Sequence, residues 1–190
     1  MSNERRPDDD AYYEPRRFRT SLYSQGDLFN DVPLAYPVLG QPVHEEPEGA
    51  RRFVSGPLEP GYAMLITPTC SMSAQQAEGY AHFVRSLVPV VPLADLVKRS
   101  VIAEAQLAFI RGYDPMIAYM YLPAHSPSGM PESMALLYMP VTLDHYLLDS
   151  TAKRTTQLAL EGARQYVRKM IRYVSGGIER PRAEFNPPMD

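Results

Sequence analysis

Cysteine is almost missing from this 190-residue chain, in which Cys70 stands alone. A single thiol forms no intrachain disulfide, and a cysteine-rich zinc site is excluded. Histidine is nearly as scarce: His44, His82, His125 and His145 are scattered singly. A helical zinc motif needs two histidines one turn apart, and the run His44-Glu45-Glu46 does not supply that spacing. No glycine-rich phosphate loop is present. Neither a metal nor another cofactor is therefore expected. No run reaches membrane-spanning length, and Met1 to Asp10 holds no apolar leader stretch. The expected setting is cytoplasmic and reducing, or inside an intracellularly assembled particle, without membrane contact.

An excess of positive charge is lacking too. The net charge is −3, whereas a protein that coats nucleic acid is usually basic. The balance is uneven along the chain. Residues 151–190 carry eight Lys/Arg against four Asp/Glu, and residues 1–150 carry eleven against eighteen. A local cationic face near the C-terminal end is compatible with that distribution.

What is present suffices for one core, with 45% hydrophobic residues over 190 positions. Residues 1–24 mix five arginines, Asp8-Asp9-Asp10 and several aromatics, a composition that reads as a flexible tail or as an arm that orders against a partner. Residues 25–176 read as one α+β domain, and 177–190 as a Pro-rich tail. Gly26-Asp27 signals a turn before the apolar residues Leu28, Phe29, Val32 and Leu34. Gly61 to Ile66 reads as a buried strand, stopped by Thr67-Pro68-Thr69-Cys70. Tyr80 to Leu93 reads as a long strand interrupted at Pro89, and Leu93 to Arg111 as helical. Met116–Leu122 and Ser133–Leu143 read as strands joined by a hairpin. The spacing predicts a last helix over Thr156 to Ser175, capped by Thr155 or Thr156 and ended by Gly176-Gly177. Its apolar stripe is Leu160, Ala163, Val167, Met170, Ile171 and Val174.

Two sets of residues are candidates for function. Thr67, Thr69 and Cys70 gather small polar groups at a strand end, where folds often place sites, and Arg51 and Arg52 are cations that folding can bring to the same surface. Cys70 is a nucleophile only if a base such as His82 or His44 folds beside it; otherwise it is an ordinary small hydrophobe. Arg164, Arg168 and Arg172, with Lys169 alongside, place like charges one helical turn apart. That arrangement is mildly unfavourable unless acidic groups or an anionic partner answer it. Tyr113, Tyr119, Tyr121 and Tyr138 are either a stacking platform or core and rim residues of a sheet.

The order Gly26-Asp27-Leu28-Phe29, then Ala63-Met64-Leu65-Ile66-Thr67, resembles the opening of the PemK/MazF-like group over roughly Gln25 to Leu93. The helix after Thr156 falls where that group carries a terminal helix. The resemblance implies a small, strongly bent antiparallel SH3-like β-barrel, with a mid-chain helix and a C-terminal helix. Many members are endoribonuclease toxins in which an Arg-Pro pair before the second main strand supplies the catalytic arginine. Here that approach is Pro57-Leu-Glu-Pro-Gly61, without arginine. Thr67 or Thr69 matches the hydroxyl residue that follows the strand. With no assembled catalytic set, the expected function is a non-catalytic interaction or accessory module of a phage, mobile-element or regulatory assembly. Its expected partner is another protein or a second copy. The alternative is a divergent RNA-binding or RNA-cleaving relative.

Overall fold

The computed structural model describes residues 12–14, 23–35, 58–70, 72, 84–113 and 118–174. The turn at Gly26 starts the sheet. Its φ is +89°, a conformation that disfavours side chains, and an added Cβ would sit 3.3 Å from Leu158. From this turn runs β1 (Asp27–Ala35). It pairs antiparallel with β2 (Leu58–Leu65), placing Leu28 opposite Met64 and Phe29 opposite Ala63.

The register shifts between Phe29 and Val32. Asp31 there has a φ of 59°, in the left-handed region that Asp tolerates better than most residues. The bulge has a packing consequence. Residues three apart in a regular strand face opposite ways, yet Phe29, Val32 and Leu34 share one apolar cluster because the extra residue resets the alternation.

β3 (Val84–Pro92) is the spine. One edge pairs with β2, from Tyr62 opposite Val90 to Leu65 opposite Leu87. The other edge is shared between β6 (Val141–Asp144), opposite Val84 to Leu87, and β5 (Ser133–Leu136), opposite Val90 to Pro92. Pro89, the expected interruption, lies in the gap between these two outer partners, and β3 itself continues through it. The expected strand Ser133–Leu143 is likewise split into β5 and β6 around a turn at Leu137–Pro140. β4 (Tyr119–Leu122) forms the expected hairpin with β5. β7 (Lys153–Gln157) pairs with the free edge of β1.

All seven strands are antiparallel, in the order β4-β5-β3-β2-β1-β7 with β6 also on β3. The barrel expected from the resemblance is not formed. Among the described residues no pairing joins β4 to β7, so the sheet is open. The chain links these edges by a helix instead of a strand: α4 (Leu160–Val174) follows β7 and packs beside β4.

The helix boundary is a second correction. Thr155 and Thr156, expected as caps, belong to β7, where Thr156 pairs with Leu28 and the Thr155 hydroxyl donates to the Leu28 carbonyl at 3.0 Å. Consecutive β-branched residues suit a pleated strand better than a helix start.

Both faces of the sheet are covered. On one, Leu28, Met64, Val88, Val90, Met120 and Leu122 pack beneath Tyr12, Tyr13 and Tyr166. On the other, Phe29, Leu65 and Leu87 pack with Leu148 of α3 (His145–Thr151). The same face continues to Val91, Met134 and Tyr121, which pack with Leu93 and Leu96 of α1 (Leu93–Lys98) and Ile110 of α2 (Leu107–Tyr113). Asp144 caps α3 by accepting the Tyr146 N–H at 2.8 Å.

Most of the segment 1–24, read as a tail or arm, lies outside the described residues, but Tyr12 and Tyr13 sit in the core. Tyr12 is fully buried and donates to the Tyr121 carbonyl at 2.9 Å. Tyr13 donates to the Pro123 carbonyl at 2.7 Å, and Glu14 N–H donates to the Gln157 carbonyl at 3.0 Å.

Candidate functional site

The antiparallel pairing brings the start of β1, the end of β2, the start of β3 and the end of β7 to one rim. Thr67, Thr69 and Cys70 stand on it. Thr67 is buried, and its hydroxyl accepts the Ser86 N–H at 2.7 Å. The Thr69 hydroxyl accepts the Gln25 N–H at 3.0 Å, and the Gln25 side-chain amide donates to the Ile66 carbonyl at 2.9 Å. These two hydroxyls clasp the end of β2 to the starts of β3 and β1. Cys70 is an exposed free thiol. Arg51 and Arg52, the cations expected beside them, lie outside the described residues, as do His44 and His82.

The described histidines are engaged elsewhere. His125 Nδ1 lies 2.8 Å from the Ser128 hydroxyl, its ring stacks on Tyr13, and burial pushes its pKa down. His145 packs against the Tyr146 ring. Among the described residues no group of three or more His, Cys, Asp or Glu is placed to hold a metal ion.

Below the rim lies a charged cluster that the sequence reading passed over. Asp27 is fully buried and accepts from the Arg154 guanidinium at 2.8 Å. Its other oxygen accepts the Ser24 N–H at 2.7 Å. Burial outweighs both contacts and raises the Asp27 pKa from 3.8 to about 6. The Arg154 guanidinium carbon stands 5.8 Å from the centre of the Tyr23 ring. Tyr23, half-buried beside Phe29, hydrogen-bonds to Asp149 of α3, and its pKa is pushed up to about 12, chiefly by desolvation. Arg85 of β3 is also buried, which lowers its pKa, while Asp149 and Tyr23 act in the opposite direction.

This set ties α3, β3 and β7 together by charge. Burial brings Asp27 towards neutrality, and a fully buried carboxylate cannot reach a substrate. The available signal in the sequence was two arginines, Arg85 and Arg154, inside strand-like segments; their partners are remote in the chain.

Of the four tyrosines expected as a platform or as core and rim, the Tyr113 side chain lies outside the described residues. Tyr121 is buried, with its hydroxyl on Glu132, and Arg111 of α2 grips the same carboxylate at 2.7 Å through two nitrogens. Tyr119 and Tyr138 meet edge to face at 5.3 Å.

The cationic set on α4 divides. Arg164, Arg168 and Arg172 are exposed, Arg164 bonding Glu161 at 2.5 Å. Lys169 is buried on the opposite side with Gly162 and Tyr166, because adjacent helical residues point about 100° apart. The expected apolar stripe divides as well. Ala163 and Met170 pack against the core, whereas Leu160, Val167, Ile171 and Val174 are 51%, 46%, 63% and 77% exposed. The helix therefore has a second apolar face, turned outward and flanked by arginines. No helix among the described residues is long and apolar enough to cross a membrane.

No protein-family model matches the chain, and no curated protein matches it significantly.

Proposed function

We propose that the domain is a non-catalytic protein-interaction module whose contact surface is the outward face of α4. The observation that carries this reading is the second apolar face of that helix. Leu160, Val167, Ile171 and Val174 face away from a sheet that already has Tyr166 and Met170 against it. An exposed apolar patch rimmed by charge is the usual mark of a protein contact. The rim hydroxyls of Thr67 and Thr69 support the same view from the negative side, since both are engaged in holding strand ends together.

The alternative, an RNA-binding or RNA-cleaving PemK/MazF-like protein, has weaker support. The Gly-Asp start on which the resemblance rests has a folding role here: Gly26 takes a positive φ and Asp27 pairs internally with Arg154.

The test is affinity capture with the intact chain, beside a Val167→Asp/Ile171→Asp variant. Both sites are exposed, so the variant is expected to fold with a stability change within about 0.5 kcal/mol per site. A partner retained by the intact chain and lost by the variant is expected. RNA cleavage by the purified chain, undiminished in the variant, would overturn the reading in favour of the alternative.

A further inference from the structure

The open sheet leaves a slot between the end of β7 and the outer edge of β4, and residues 12–14 fill it. Tyr13 bridges antiparallel to Leu158. Glu14 N–H donates to the Gln157 carbonyl and the Ala159 N–H donates to the Tyr12 carbonyl, both at 3.0 Å. The segment thus adds a short strand where β7 ends. On the β4 side the tyrosine hydroxyls take over, donating to the Tyr121 and Pro123 carbonyls at 2.9 and 2.7 Å. The first turn of α4 is cut back to admit this strand, since a Cβ at Gly162 would lie 2.7 Å from the Tyr12 carbonyl oxygen. Main-chain bonds along an edge, with a separate anchor for each side chain, are how a sheet accepts an extended segment. We propose that this slot receives residues 12–14 of a second copy of the chain, so that two copies pair by reciprocal exchange of their N-terminal strands.

The occupant follows from what holds the strand. The hydroxyl bonds run to residues far along the chain, 109 positions for Tyr12 and Tyr121 and 110 for Tyr13 and Pro123. The strand is joined to Tyr23 only through residues 15–22. The same bonds therefore form whichever copy supplies the strand, and exchange sacrifices none of them. The tether alone favours the strand's own chain, by acting as a local concentration in the millimolar range. Exchange is accordingly scarce in the native chain at micromolar concentration, and it dominates once the cis strand is disabled. A foreign segment would need two adjacent tyrosines to place a hydroxyl on each carbonyl, and the chain's own sequence supplies them. This surface is separate from the outward face of α4, and the inference does not depend on the role given to that face.

The test pairs two full-length variants, each lacking one half of the contact. Tyr12→Ala/Tyr13→Ala keeps the slot and loses the anchors, whereas Gly162→Leu keeps the anchors and blocks the slot. Each alone is expected to be monomeric, with a lowered melting temperature. Refolded together, they should form a one-to-one heterodimer by light scattering, at least about a hundredfold tighter than the native chain self-associates. The melting temperature of the mixture should rise above that of either variant. Adding Val167→Asp/Ile171→Asp to both should leave this association unchanged.

Should either variant fail to fold, disulfide trapping gives the answer in chains that keep both halves. In a Cys70→Ser background, Glu14→Cys on one chain and Gln157→Cys on another bring their thiols opposite each other only across an exchanged pair. After refolding the two together under oxidising conditions, a cross-link between them that grows with concentration is expected, in excess of the self-cross-link of Glu14→Cys. Two folded variants that stay monomeric on mixing overturn the proposal, as does the absence of that cross-link at millimolar concentration. Association lost with the α4 substitutions is contact through the outer helix face, and it also overturns the proposal. None of these failures touches the interaction-module reading, because no residue of the outward α4 face takes part in the exchange.

Discussion

Asp27 and Gly162 show how single positions are governed by their surroundings. Asp27 has its pKa raised from 3.8 to about 6 by burial, so the folded state holds its proton more tightly than the unfolded chain does. Its contribution to stability is therefore fully present below about pH 4, declines as pH rises towards 6, and is level above that. The interval corresponds to about 3 kcal/mol. In urea titrations from pH 4 to 8, the stability of the native protein relative to Asp27→Asn should fall by an amount of that order, with the change confined below about pH 6.5. A flat difference would contradict a buried carboxylate opposed by desolvation. At Gly162 two effects compete. Alanine favours a helix over glycine by about 1 kcal/mol, but the added Cβ would lie 2.7 Å from the Tyr12 carbonyl oxygen. Backbone cannot yield as a flexible side chain can, and overpacking of this kind costs about 1–3 kcal/mol. Gly162→Ala is therefore expected to lower the thermal midpoint, against the propensity scale.

Among the elements, β2 and α4 mark two extremes. Leu65, at the end of β2, is fully buried between β1 and β3, so Leu65→Ala should destabilise by about 2–5 kcal/mol. Ile171→Ala on the outer face of α4 removes a similar side chain and should stay within about 0.5 kcal/mol. Chemical denaturation of the two variants side by side measures this contrast. Both segments were legible as apolar. The Gly61–Ile66 run is short, hydrophobic and bounded by Gly and Pro, so burial on both faces was the natural expectation. In α4 apolar residues occur on two sides, and periodicity reports which residues share a face, not which face is covered. Hence the single expected stripe divides into Ala163 and Met170 inside and Val167, Ile171 and Val174 outside.

For the whole molecule, the N-terminal segment links distant parts. Tyr12 reaches β4 through the Tyr121 carbonyl, while its own carbonyl accepts the Ala159 N–H at 3.0 Å beside the start of α4. Tyr12→Ala is expected to cost about 3–5 kcal/mol, the range for deleting a buried aromatic side chain. A truncation through Tyr13 should lower the melting temperature by at least several degrees, as followed by circular dichroism. An unchanged midpoint would mean that these residues add nothing to the core.

The sequence by itself determined that the chain builds an α+β domain without disulfides. It also placed the strand runs around Leu65, Val88, Met120 and Met134, because uninterrupted apolar stretches between turn residues have few other stable fates. It marked the Gly26 turn and the polar end of β2. The open sheet, the charged cluster of Asp27, Arg85, Asp149 and Arg154, and the burial of Tyr12 were decided only in three dimensions. Each depends on partners far apart in the chain: Asp27 and Arg154 are separated by 127 positions, and Tyr12 and Tyr121 by 109. Local pattern carries no record of such pairings. The outward apolar face of α4 belongs to the same class, since Leu160, Val167, Ile171 and Val174 are written in the sequence but their exposure follows from which side of the helix the sheet occupies.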